Sequence, residues 1–107
     1  MNMLEVVISS RAELSLNTII DFYINEYSPE RANKVIQSIN KEFQNIAKNP
    51  RSFSICFDIK EPSDKIRQAI VYSTFKIVFR IQKDKIDILE VFHGKQNPRK
   101  LKRRLKE

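Results

Sequence analysis

One stretch of the sequence, from Phe75 to Pro98, constrains the fold more than any other. It alternates between apolar and polar residues on both sides of a short break at Lys83-Asp84. Successive side chains of a β-strand point to opposite faces of the sheet, so the alternation predicts two strands joined in a hairpin. The second strand ends at His93 and Gly94, the only histidine and the only glycine of the chain. Functional side chains often lie where a strand ends on a rigid sheet, so this end is a candidate site.

The sequence before this hairpin predicts a strand, two helices and a further strand. Residues 4–8 form a short apolar run, and Ser10 to Glu13 match a capping box with Ser10 as the N-cap. Two stretches, 12–27 and 32–47, repeat apolar residues every three or four positions, which predicts two amphipathic helices in a helical hairpin. Residues 66–72 alternate again and predict the strand that precedes the main hairpin.

These elements predict an α+β fold in the order strand, helix, helix, strand, strand, strand (β-α-α-β-β-β), with the last three strands as an antiparallel meander. A short helix or tail follows. We expect a single domain over residues 1–107, with a basic tail at 97–107. The helices are expected to cover one face of the sheet. The other face is expected to form a shallow basic groove with Arg67, Lys76 and Arg80, where the register of the strands allows it.

Composition excludes several classes of protein. A chain of 107 residues builds one modest core. It has no run of 18 apolar residues, and its N-terminus lacks the pattern of a signal peptide, so we expect a cytoplasmic protein without a membrane segment. The single cysteine, Cys56, cannot form an internal disulfide and has no partners for a zinc site. We therefore expect no metal and no cofactor.

The positive charge of the chain is concentrated at its end. Residues 97–107 hold six basic residues and one acidic residue, a net +5 out of a total of +7. Such a tail suits nucleic acid, the ribosome or an acidic protein partner. It also fits a solvated end that keeps the protein soluble, and charge alone does not choose between these interpretations.

The order of the elements and three motifs resemble the RelE/ParE family of bacterial type II toxin–antitoxin systems. The motifs are Arg67 on the first strand of the meander, FKIVFRI at 75–81 and VFHGKQNP at 91–98. The resemblance covers almost the whole chain. It implies a RelE/ParE-like fold and a toxin, also described as a plasmid stabilisation protein, that inhibits growth. It further implies a cognate antitoxin that binds the toxin as a hetero-oligomer and blocks it.

Two activities occur in this family, and the fold does not choose between them. ParE-like members inhibit DNA gyrase, whereas RelE-like members enter the ribosome and cleave mRNA as metal-independent endoribonucleases. Such cleavage needs a base, an acid and cations around the phosphate. The resemblance implies Arg67, Lys76 and His93 for these roles, but Lys76 stands where the ribonucleases usually have arginine, and no tyrosine follows Tyr72. The set is incomplete, which favours the ParE-like activity.

Other interpretations of these residues remain open at this stage. His93 can instead bond the backbone at the strand end, and Arg80 can form a structural ion pair with Glu90 across the hairpin. A non-toxic module that binds nucleic acid is a second alternative, weakened by the lack of aromatic residues on the basic face. The residues predicted to bind the target or nucleic acid are Arg80, Lys95, Arg99, Lys100, Lys102, Arg103 and Arg104.

Overall fold

A computed structural model describes residues 3–94 of the chain. These residues form two long helices and one five-stranded sheet in the order β1-β5-β4-β3-β2, with β1 parallel to β5 and the other neighbours antiparallel. The elements are β1 Glu5–Ile8, α1 Ser10–Glu26, α2 Pro29–Lys48, a 3₁₀ turn Pro50–Ser52, β2 Ser54–Ile55, β3 Ile66–Val71, β4 Phe75–Ile81 and β5 Lys85–His93. The predicted α+β fold and its order are confirmed, and the two-residue β2 is an addition to it.

The start of α1 differs from the prediction by one residue. Ser9 is the N-cap: it has extended backbone angles, and its hydroxyl accepts a hydrogen bond from the Ala12 N–H at 3.0 Å. The prediction of Ser10 as the N-cap is wrong, because Ser10 is already the first helical residue. The Ser9 hydroxyl also donates to the Leu89 carbonyl at 3.0 Å, which ties the start of α1 to β5. The second helix begins at Pro29, where a missing N–H costs little.

The helical hairpin covers one face of the sheet, which we call the helix face. Buried apolar side chains from both helices and from three strands form the main core there, and each large one stabilises the fold by about 1.5–3 kcal/mol. These side chains are Ala12, Ile19, Tyr23, Ala32, Val35, Ile39, Phe43, Ile46, Ala69, Val71, Phe75, Ile77, Phe79, Ile86, Ile88 and Val91. The spacing of apolar residues in the sequence matches this core.

The opposite face of the sheet, which we call the second face, carries a smaller apolar cluster. Its buried members are Cys56, Ile59, Val78 and Phe92. The segment that follows β2 brings Cys56 and Ile59 over the strands, and the pairing of β4 with β5 shifts by one residue between Val78 and Phe79. The prediction of an open basic groove is therefore wrong at the centre of this face, because apolar side chains and a covering segment occupy it.

The register separates the three cations that were predicted to share the second face. Residues directly opposite each other in an antiparallel pair lie on the same face. Arg80 lies opposite Ile66, which packs on the second cluster, and Lys76 shares its face four residues earlier in β4. Arg67 lies opposite Phe79 of the main core and so belongs to the helix face. The prediction is wrong for Arg67, because a step of one residue along a strand reverses the face.

A tight turn joins β3 to β4 one residue earlier than predicted. Tyr72 and Ser73 both have φ of 56°, in the left-handed region that non-glycine residues rarely adopt. The Tyr72 hydroxyl lies 2.5 Å from the Ser38 hydroxyl, which connects the turn to α2. Gly94, whose N–H donates to the Thr74 carbonyl of this turn at 2.8 Å, also has positive φ, at 74°. Within residues 3–94, no helix is long and apolar enough to cross a membrane.

Candidate functional site

The three residues predicted for ribonuclease chemistry lie in three different environments. Lys76 lies on the second face, while Arg67 and His93 lie on the helix face, opposite Phe79 and Phe75 respectively. Phe75 and Phe79 are four residues apart in β4, so Arg67 and His93 are separated by about 13 Å in the direction of the strands. They also lie on different strands, on either side of β4. The structure does not bring the three side chains to one point.

Arg67 holds the two ends of the segment between the 3₁₀ turn and β3 together. Its Nε donates to the Asp64 carbonyl at 2.8 Å. Its Nη1 donates to the Phe53 carbonyl at 2.8 Å and to the Arg51 carbonyl at 3.2 Å. The side chains of Arg51 and Asp64 also approach within 3.5 Å. Because three backbone carbonyls share one guanidinium, Arg67 acts as a structural clamp in this geometry.

Lys76 is held by a carboxylate on the covering segment. Its Nζ lies 2.7 Å from Asp58 Oδ2, and the two side chains are 26% and 42% exposed. Its neighbour on the same face, Arg80, lies opposite Asp87. Asp87 in turn accepts a hydrogen bond from Gln82 Nε2 at 2.7 Å. The ion pair with Asp58 reduces the attraction of Lys76 for a phosphate.

The predicted ion pair between Arg80 and Glu90 does not match the register, because Glu90 lies opposite Val78. Glu90 is fully buried and accepts hydrogen bonds from the Ser15 hydroxyl of α1 and from the Val91 N–H, the latter at 3.0 Å. A buried carboxylate is stable when donors satisfy its oxygens. Glu90 therefore fastens α1 to the shifted part of β5, and this arrangement gives it a structural role.

His93 is enclosed by aromatic rings. Its ring stacks on Phe75 with centroids 5.1 Å apart and meets the edge of Phe22 at 4.9 Å. Its Nε2 lies 3.5 Å from the Tyr23 hydroxyl. Burial lowers the pKa of His93, because the charged imidazolium loses water in this setting. The ring is therefore neutral near pH 7, which suits packing or accepting a proton.

The aromatic group continues along α1 beyond His93. Tyr23 stacks on Tyr27 with centroids 5.4 Å apart, and the Arg31 guanidinium carbon lies 5.4 Å from the centre of the Tyr27 ring. Burial is the main reason that the pKa of Tyr23 is raised; Tyr27 also raises it, while Arg31 lowers it. A phenol with a raised pKa stays protonated and donates, so Tyr23 is suited to fix the His93 ring.

Sequence reasoning missed several partners of these residues. Asp58 stands in a stretch without clear periodicity, and nothing in the sequence pairs it with Lys76. Tyr23 and Tyr27 were predicted as part of the buried helix face, but Tyr27 is 60% exposed. The signal for the aromatic group is the presence of Phe22, Tyr23 and Tyr27 within six positions of one another at the end of α1.

The remaining predicted binding residues lie outside the described part of the chain, apart from Arg80, which is exposed on β4. They are Lys95, Arg99, Lys100, Lys102, Arg103 and Arg104. Among residues 3–94, no three histidine, cysteine, aspartate or glutamate side chains are grouped closely enough to hold a metal ion.

The sequence matches the model of one protein family. A family model described as the ParE toxin of a type II toxin–antitoxin system, parDE, matches residues 6–98. A search of curated proteins finds no significant match.

Solved structures share the fold at low sequence identity. The chromosomal ParDE toxin–antitoxin system from P. aeruginosa matches with a TM-score of 0.70 and 20% identity, over 87% of this chain and 98% of that chain. The RelBE2 toxin–antitoxin complex from Mycobacterium tuberculosis matches with a TM-score of 0.58 and 17% identity, over 90% and 97%. A conserved hypothetical protein from Helicobacter pylori matches with a TM-score of 0.53 and 13% identity, over 85% and 94%.

Proposed function

Because the chain belongs to the ParE toxin family of type II toxin–antitoxin systems, we propose that it inhibits DNA gyrase and that a cognate antitoxin neutralises it. The observation that carries the choice of gyrase is the way Arg67, Lys76 and His93 are held. Metal-free RNA cleavage needs a base, an acid and a cation around one phosphate. Here the three candidates lie on two faces of the sheet, and each is occupied by a structural contact.

The electrostatics of the second face support the same proposal. A RelE-like toxin needs free cations to hold the RNA backbone. Lys76 is 2.7 Å from Asp58, and Arg80 lies opposite Asp87. A cation that is paired with a carboxylate, as Lys76 is, attracts phosphate weakly. This pairing argues against a ribonuclease that uses Lys76 on the second face, and it leaves inhibition by binding as the better account.

The proposal of an antitoxin partner rests on membership of the toxin family and on the charge and exposed apolar side chains of the protein surface. The net charge of +7 favours encounter with an acidic protein, since opposite charges speed association. Exposed large apolar side chains on α1 and at its C-cap offer contact area, with Leu14 69%, Phe22 40% and Tyr27 60% exposed. An antitoxin with an acidic and apolar segment fits this chemistry, either as a strand added to a sheet edge or as a helix in a groove.

A pulse of expression in bacteria tests the proposal. Bulk mRNA integrity and plasmid supercoiling are followed in the same samples after induction. The proposal expects intact mRNA together with altered supercoiling or DNA breaks. Cleaved mRNA with normal supercoiling would identify a RelE-like ribonuclease instead. Normal growth without either change would favour the non-toxic nucleic-acid-binding module.

A His93→Ala variant gives this experiment a matched comparison. A ribonuclease that uses His93 as acid or base loses toxicity in this variant without losing its fold. An inhibitor that acts by binding keeps its toxicity as long as the variant folds, because His93 then serves only to pack the aromatic group. Circular dichroism of the purified variant establishes whether it folds.

A further inference from the structure

The segment between β2 and β3 is fastened at both of its ends. Its two ends are tied to each other: the Cys56 N–H donates to the Ile66 carbonyl at 2.9 Å, and the Arg67 clamp bonds Phe53 on one side and Asp64 on the other at 2.8 Å. Compact loops with joined ends often serve as functional elements. The ends of this loop stay together whatever its middle does.

The middle of the loop, residues 57–62, has few contacts with the rest of the molecule. Ile59 is its one buried side chain, 6% exposed, and it packs in the small cluster of the second face. Asp58 reaches Lys76 at 2.7 Å. The other side chains of this stretch are exposed. A segment with so little buried area opens at a far lower free energy than the whole domain unfolds.

We propose that residues 57–62 form a lid that opens as a unit on the second face, while Arg67 keeps its ends together. The pair of Asp58 and Lys76 is the latch of this lid. Opening lifts Ile59 from Val78 and Phe92 and frees Lys76 from its carboxylate. The lid thus controls whether the second face is a covered surface with Lys76 paired to Asp58 or an apolar surface with Lys76 released from that pair. This role goes beyond the proposed function and does not depend on it.

Cys56 provides a natural reporter for the lid. It is the only cysteine of the chain, is fully buried, and packs in the same cluster as Ile59. Burial is the main cause of the raised pKa of Cys56; the Asp58 backbone and the charge of Lys76 lower this pKa, while the charge of Asp58 raises it. Its backbone stays bonded to β3 when the lid lifts, so its thiol becomes accessible to a small reagent.

Labelling of the native protein with a thiol reagent tests the proposal. The rate is measured in increasing urea well below the unfolding transition, and it is compared with global unfolding followed by circular dichroism. Local opening exposes little surface, so its rate depends on urea far more weakly than global unfolding does. A labelling rate with the same urea dependence as global unfolding would overturn the proposal.

The latch is tested by Asp58→Asn, with Asp87→Asn as the matched control. Both variants remove one carboxylate from the second face, but Asp87 lies on β5 outside the lid. Loss of a partly exposed ion pair is expected to speed labelling of Cys56 about two- to five-fold in Asp58→Asn. The Asp87→Asn variant should label at the wild-type rate. Equal rates in Asp58→Asn and the wild type, or equal acceleration in both variants, would refute the latch.

Discussion

Replacing Arg67 by methionine tests whether this residue is structural. Methionine keeps the length and apolar stem of the side chain but removes all three hydrogen bonds to the carbonyls of Arg51, Phe53 and Asp64. The bond to the Phe53 carbonyl is partly buried, whereas the other two are exposed. In the variant, water can donate to the carbonyls of Arg51 and Asp64 in place of the guanidinium. We count about 1.5 kcal/mol for the first and about 0.5 kcal/mol for each of the others, which gives about 2.5 kcal/mol of lost stability.

Urea unfolding of the purified protein measures this loss. With a slope of about 1.5 kcal/mol per M urea for a domain of this size, the midpoint is expected to fall by about 1.7 M in Arg67→Met. The control is Arg80→Met, in which an exposed arginine of the neighbouring strand is replaced. Its midpoint should move by less than about 0.3 M, because surface substitutions rarely exceed about 0.5 kcal/mol.

Unchanged stability of Arg67→Met together with lost toxicity would refute the structural role of Arg67. If Arg67→Met unfolds at the midpoint of the wild type but loses toxicity, Arg67 acts on a target and not on the fold. A loss of stability close to the expected value, with toxicity reduced only in proportion to the folded fraction, supports the clamp.

Three further substitutions test other parts of the account. Burial lowers the pKa of His93, so the unfolded chain takes up a proton that the folded chain does not as the pH falls through about 6.5. The free energy of unfolding should therefore rise with pH below that value, and His93→Gln should flatten this part of a pH series of urea titrations. Ser15→Ala removes a hydroxyl donor from buried Glu90 and should cost about 1–3 kcal/mol in the same titration. Ser73→Gly relieves a φ of 56° and should stabilise the protein by about 0.5–1 kcal/mol, which thermal unfolding detects as a higher Tm.

The fold was predictable because its signals are local. The helical spacing of apolar residues in α1 and α2 and the alternation in β3, β4 and β5 each reflect the side that a single element buries. The cap of α1 was missed by one residue, since Ser9 and Ser10 are equally good caps by type and only the backbone decides between them. Apolar residues alternate from Phe53 to Ile59, but only Ser54–Ile55 of this stretch pairs as a strand, β2.

The candidate site was less predictable because it depends on contacts between distant segments. The face of Arg67 depends on its pairing with Phe79, and the shift between Val78 and Phe79 changes which residue of β5 lies opposite β4. The pairing of Lys76 with Asp58 joins residues 18 positions apart through an irregular loop. No periodicity encodes such contacts, so they appear only in three dimensions.

We propose that this ParE-family chain acts by binding DNA gyrase. The most direct test adds the purified protein to gyrase and relaxed plasmid DNA and measures supercoiling by gel electrophoresis as the protein concentration rises. The account predicts that supercoiled product disappears in a concentration-dependent way, with or without cleaved DNA. Undiminished supercoiling at a large molar excess of folded protein over gyrase would contradict it.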